Sequence, residues 1–262
     1  MQRLLSDTLH SVRVWRVWLF LGLQDIKTRF RRSVVGPVWI FLNMFLFVAG
    51  AGVLYGVMIN QPMREFLPFL TAGFSLWGFI ATSLVEAAFA FVNAEGYIKQ
   101  FCYPKQIYLM RVLVSASIVL LFCLATVIPV QLFFNNLSVV GWLFALPGLA
   151  ILLLAGLGHI AVAAYLGVRF RDFPHAAGGL LQVAFFVTPV MFPAKVLADR
   201  GLSFVYAFNP FYYVLELVRQ PILTGDLPSL QMYLVAALYV FLLWTAAAVI
   251  ARSLDSRVVV LL

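Results

Sequence analysis

The chain is 262 residues long, 64% hydrophobic and 11% charged, with a formal net charge of +8, and its mean hydropathy is +1.00. Soluble domains are nearer half apolar and a quarter charged. A water-soluble domain of this length is therefore excluded, and lipid must be the solvent for most of these side chains.

The N-terminal segment is not a cleavable signal: Arg3, Arg13 and Arg16 lead into tryptophan-rich sequence with no short apolar core or small-residue cleavage site. At 100° per residue, Arg13, Arg16, Gln24, Lys27 and Arg31 fall within about 80° of one another. Trp15, Leu19, Leu23, Ile26 and Phe30 fall on a separate apolar face. That pattern predicts an amphipathic helix lying in the membrane interface, its basic face meeting lipid headgroups or pyrophosphate.

Apolar runs then predict six spans, at about 36–59, 67–93, 108–134, 141–168, 176–193 and 231–251. With the N-terminus inside, the outer side keeps only Arg64, Lys195, Arg200 and Arg219, and the other basic residues lie inside. This asymmetry puts both termini in the cytoplasm and accounts for the positive charge without nucleic acid. The chain reads as one membrane domain, 1–262. An interface helix (1–35) precedes five spans (36–193), two short re-entrant helices (194–230), and the last span with a cytoplasmic tail (231–262). In the re-entrant stretch, Asn209 and Pro210 read as an N-cap followed by proline at the first helical position, and Gly225 as the stop. Val196 to Phe208 is expected to form the other short helix.

Catalytic chemistry is not indicated. His10, His159 and His175 are dispersed, and mid-span His159 reads as a packed, hydrogen-bonded side chain. Cys102 and Cys123 have no metal-ligand spacing. There is no GxxxxGK[ST] loop, so ATP and its magnesium would have to bind another polypeptide. In the second span, Thr71, Ser75, Thr82, Glu86 and Asn93 share one helical face with Phe89, a stripe that faces protein or a water-filled path rather than lipid. Glu86 reads as the carboxylate well inside a span, which marks it as a functional candidate. Interhelical hydrogen bonding is the alternative role for the stripe. The loop 93–105 carries Tyr97, Ile98, Lys99 and Phe101 before Pro104, and predicts a small docking helix with an apolar face.

Four segments carry a family resemblance: RRSVVGPVW at 31–39, NAEGYIKQFCYPKQI at 93–107, RFRDFPH at 169–175 and NPFYYVLELVRQPILTG at 209–225. In these, and in the order of its spans, the chain resembles the permease subunit of type-two ABC exporters. The nearest branch is the one that exports O-antigen, capsule and teichoic acid. The resemblance implies a homodimer with the path between protomers and two ATP-binding cassette subunits docked below. It implies that the 93–105 loop is the coupling helix, with Lys99 alone where the family carries a basic pair. It also implies that the short outer helices, with Asn209, Pro210, Tyr212 and Arg219, form a gate.

The expected architecture is an all-α membrane protein. The expected function is the membrane subunit of an ATP-driven exporter of undecaprenyl-linked polysaccharide in the bacterial inner membrane, itself no enzyme and without a cofactor. A drug or small-lipid exporter of the same fold is the alternative within transport. An intramembrane glycosyl-transfer enzyme is the alternative outside it, opposed by the lack of clustered acids to hold a metal and a sugar nucleotide.

Overall fold

The computed structural model describes residues 2–59, 62–101 and 103–262, so Cys102 lies outside the described residues. Every regular element among them is helical. The N-terminal segment forms α1 (Gln2–Arg13) and α2 (Trp15–Arg29), separated at Val14. A turn follows in which Arg32 and Gly36 take φ of 71° and 63°, and the Ser33 hydroxyl accepts from the Gly36 amide at 3.0 Å. Pro37 then precedes α3 (Val38–Ile59), its fixed φ suited to a helix start.

After α4 (Met63–Val85) the chain tightens into two short 3-10 turns, Glu86–Phe89 and Val92–Ala94, before α5 (Glu95–Gln100). Within the span expected at about 67–93, α-helical winding stops at Val85 and 3-10 turns carry the chain on. This stretch is rich in alanine, and α8 approaches it backbone to backbone. A Cβ on Gly167 of α8 would collide with the Ala88 carbonyl.

Next come α6 (Gln106–Ala125) and α7 (Val127–Phe133), nearly continuous but broken at Thr126. Pro129 has no N–H to give the Ala125 carbonyl, and Thr126 Oγ1 turns back to donate to the Cys123 carbonyl at 2.5 Å. The 31-residue α8 (Val139–Arg169) starts at Ser138, whose hydroxyl accepts from the Gly141 amide at 3.0 Å. Beyond it lie α9 (Phe173–Val187), α10 (Ala194–Ala198), α11 (Phe204–Ala207), α12 (Pro210–Thr224), α13 (Leu230–Leu254) and α14 (Val258–Leu261). The one short helix expected over Val196 to Phe208 is instead two single-turn pieces, separated where Gly201 takes φ of 72°.

Four described helices are long and apolar enough to cross a membrane: Met63–Phe89, Gln106–Phe133, Val139–Arg169 and Leu230–Leu261. Two shorter apolar stretches, Val38–Gly52 and Phe173–Val187, accompany them. At about 1.5 Å per residue, α9 reaches about 22 Å, short of the ~30 Å hydrocarbon core. The molecule is an all-α, multi-pass membrane protein.

The central pillar is α8, which packs on α4, α6, α12 and α13. Lipid tails are as apolar as these side chains, so close packing and internal hydrogen bonds hold such helices together. Both occur here. Gly141 and Gly148 of α8 lie against the backbone of α12, at the carbonyls of Pro221 and Leu217, where a Cβ would clash. His159 is buried mid-helix and bridges three helices: its Nδ1 meets Ser83 Oγ of α4 at 3.3 Å and its Nε2 meets the Tyr239 hydroxyl of α13 at 2.5 Å. The expected structural role of this histidine is what the packing shows. Leu76, Leu152, Leu215 and Leu217 centre one core cluster. A second, nearer α5 and the C-terminus, is built on Phe91, Ile160, Tyr165 and Val258.

Candidate functional site

The polar stripe of α4 divides in two. Thr71 and Ser75 are 0% and 1% exposed, and their hydroxyls donate to the carbonyls one turn back, at Leu67 and Thr71, both at 2.7 Å. Both are buried inside this protomer, unlike the second half of the stripe. Thr82 is half-buried, while Glu86, Phe89 and Asn93 are exposed on the chain's surface. Glu86 is corrected. It does not sit in mid-span but at the end of α4, where Arg29 Nη2 of α2 reaches its Oε2 at 3.0 Å. An isolated carboxylate in lipid would be costly, and this one has both an exposed position and a cation beside it.

Arg13, Arg16, Lys27 and Arg31 are all exposed, with the Arg16 guanidinium 5.6 Å from the Trp15 ring centre. Arg31 falls in the turn beyond α2 rather than on the helix. The expected apolar face is split. Trp15 and Leu23 are exposed, whereas Ile26 is buried together with Gly22, whose Cα side lies against Val114 of α6. A glycine there is what lets the two helices close up. Above this contact, Arg111 of α6 makes two hydrogen bonds to Asp25, Nε to Oδ2 at 2.7 Å and Nη2 to Oδ1 at 2.5 Å. An open cavity of about 580 Å³ beside the pair is lined by Gln24, Thr28, Arg29 and Tyr97. Asp25 and Arg111 were not among the sequence-derived candidates. The available signal was Asp25, the one acid in the basic stretch 13–32, with an arginine just inside the third span.

On α5, Lys99 pairs with Glu95 one turn back at 2.6 Å. Tyr97 and Phe101 are 48% and 50% exposed, with ring centres 6.4 Å apart and nearly parallel planes. Tyr103 continues the aromatic row 6.3 Å from Phe101. Ile98 departs from the expected exposed set, being half-buried on the second core cluster. The loop is anchored from the far end of the chain: Lys105 Nζ donates to the Asp255 carbonyl and lies 3.2 Å from its carboxylate. Tyr165 of α8 donates its hydroxyl to the other Asp255 oxygen at 2.7 Å. No local pattern links positions 105, 165 and 255.

At the opposite end, Asn209 Oδ1 accepts from the Phe211 amide at 3.0 Å, which caps α12, and Pro210 occupies the first helical position. Gly225 stops the helix with φ of 77°. Asn209 is itself buried, its Nδ2 donating to Thr188 Oγ1 at 2.7 Å. Tyr212 is half-buried, with its ring 5.0 Å from that of Tyr206. Arg219, expected on the outer side and in the gate, is 0% exposed. It pairs with Glu216 on its own helix and lies over Phe69 of α4 at 4.0 Å from the ring centre. A charge this deep needs such partners.

The family model for ABC-2 type transporters matches residues 16–223, a stretch that takes in α2, the stripe, the aromatic loop and nearly all of α12. The chain belongs to the ABC-2 type transporter family. This transporter chain is similar to the O-antigen export system permease protein RfbA of Myxococcus xanthus, 26% identical over 230 residues that cover 86% of this chain and 88% of the relative. It is also similar to two proteins of that name from Klebsiella pneumoniae, 21% and 22% identical over 205 and 206 residues, each covering 78% of this chain and 79% of the relative. Members of this family are membrane components of transporters.

Proposed function

We propose that this chain is the membrane subunit of an ATP-driven exporter that moves lipid-linked O-antigen-type polysaccharide across a bacterial inner membrane. The observation that carries the reading is the likeness to O-antigen export permeases, which spans 86% of the chain in the M. xanthus comparison. It forms a single membrane domain of six spans with both termini cytoplasmic. In this arrangement α3 and α9 complete the spans begun by the four long helices, and α10 to α12 re-enter from the outer side.

Two copies pair so that the exposed half of the α4 stripe, Thr82 to Asn93, faces the path. A polymer must slide through many repeat units, so weak, exchangeable contacts serve it better than a tight site. The hydroxyl, amide and aromatic groups of that stripe are of this kind. Two ATP-binding cassette subunits, which hold ATP and magnesium, dock on the Tyr97–Phe101–Tyr103 row. The exposed Arg13, Arg16, Lys27 and Arg31 meet anionic headgroups or the pyrophosphate of the undecaprenyl carrier, each worth about 1 kcal/mol near such a surface.

The deciding experiment deletes the protein in its native cell and follows the glycan. Finished lipid-linked glycan should accumulate on the cytoplasmic side and vanish from the surface. Normal surface glycan with altered drug sensitivity alone would show a small-molecule exporter instead.

A further inference from the structure

Away from the stripe and the coupling loop, a cleft of about 330 Å³ opens between α6 and α13, floored by α8. Its walls are apolar, formed by Leu109, Leu157, Ala161, Trp244 and Ala248. The neighbouring surface around Trp244 is exposed and apolar too, with Leu154 and Phe241 pointing outward; in a membrane protein such a surface meets acyl chains. At about 30 Å³ per water-sized group, the cleft holds on the order of ten methylenes.

Polarity is confined to one end, where Gln106, Arg252 and Thr8 line the mouth. Gln106 Oε1 is buried there and has no donor among the described residues. A buried acceptor calls for a donor, and the nearby Tyr165 hydroxyl is already committed to Asp255. Arg252 is exposed and brings a positive charge to the same end.

We propose that this cleft binds one acyl chain of an anionic, glycerol-headed phospholipid. A headgroup hydroxyl donates to Gln106 Oε1, and the phosphate lies against Arg252. The small side chains of Ala247, Ala248 and Ala251 on the α13 wall suit an unbranched chain, about ten methylenes of which the cleft holds, whereas a methyl-branched polyprenyl chain would leave most of its length outside. The site has a route to the transport machinery. Tyr165 lines the cleft and also holds Asp255, the partner of Lys105 at the end of the 93–105 loop. Lipid occupancy therefore stiffens the joint that carries the loop. The binding itself does not depend on the polysaccharide reading.

The test is native mass spectrometry of the full chain purified from membranes, followed by delipidation and rebinding in nanodiscs of phosphatidylglycerol or phosphatidylcholine. The expected result is one phospholipid retained per chain, with phosphatidylglycerol favoured about fivefold, the effect of one basic residue at about 1 kcal/mol. Ala248→Phe should fill the cleft and cut retention more than tenfold. Arg252→Gln, at an exposed position, should keep a lipid bound but make the two headgroups equal, with the thermal midpoint of the variant checked alongside. Absence of retained phospholipid, unchanged retention in Ala248→Phe, or an unchanged headgroup preference in Arg252→Gln would overturn the proposal. So would retention of a polyprenyl phosphate, or a cross-link between cysteines at 248 of two copies showing that a second chain covers the cleft.

Discussion

Arg111 of α6 grips Asp25 of α2 through two parallel hydrogen bonds of 2.7 and 2.5 Å, across 86 residues of sequence. The side chains keep 18% and 33% of their exposure, so the pair is shielded more than a surface ion pair. Its fork geometry needs a guanidinium and cannot be copied by lysine. The contact joins the N-terminal segment to a helix long and apolar enough to cross a membrane.

Asp25→Asn or Arg111→Lys should therefore loosen α2, at a cost of about 2 kcal/mol for a charge-assisted pair. The measurement is limited trypsin digestion of the purified protein, with faster cleavage at Lys27 and Arg29 and a lower thermal midpoint. Gln24→Ala, which lines the same cavity without sharing the pair, serves as the control. Unchanged cleavage in both variants would mean that Gly22 and Ile26 packing alone holds the helix.

Docking of an ATPase on the aromatic row can be separated from folding because Tyr97 and Phe101 are exposed while Ile98 is not. Phe101→Asp and Tyr97→Asp should abolish co-purification of the ATPase and stop export, with the membrane protein still inserted at normal levels. Ile98→Asp should instead reduce the amount of folded protein, since it puts a charge against the second core cluster. Full export in Phe101→Asp would place the docking surface elsewhere.

The two halves of the α4 stripe should react differently with thiol reagents. In a background lacking Cys102 and Cys123, cysteine at Thr82 or Phe89 should be labelled by a water-soluble maleimide, and a bulky adduct there should block export. Cysteine at Thr71 or Ser75 should stay unlabelled, as both side chains are buried. Equal labelling along the whole stripe would contradict the division seen in the fold.

Arg219 is a buried cation with Glu216 and the Phe69 ring as partners. Arg219→Ala leaves the carboxylate without its charge partner and should destabilise the protein by about 3 kcal/mol, as for other broken buried pairs. The combined change Arg219→Met with Glu216→Gln should recover most of that loss, because the desolvated charges go together. Thermal midpoints of the three proteins in one detergent decide the matter. A double variant no better than Arg219→Ala would assign the loss to shape rather than to charge.

Membrane class, the long apolar helices, the cap at Asn209-Pro210, the stop at Gly225 and the family likeness were all legible in the sequence. Each depends on composition, periodicity or chemistry within a few residues, and needs no knowledge of distant neighbours. The break at Thr126 was legible in principle, since Pro129 removes the amide that would have bridged it. Tertiary structure alone decided which face of a helix is covered. It split the α4 stripe, brought Arg29 to Glu86, hid Arg219 beneath Phe69 and gathered Lys105, Tyr165 and Asp255 at one joint. The helical wheel gives every residue a direction but no neighbour. A polar group in a membrane protein takes its role from the partner that desolvates or pairs it, and for Glu86 and Lys105 that partner comes from 57 and 150 residues away.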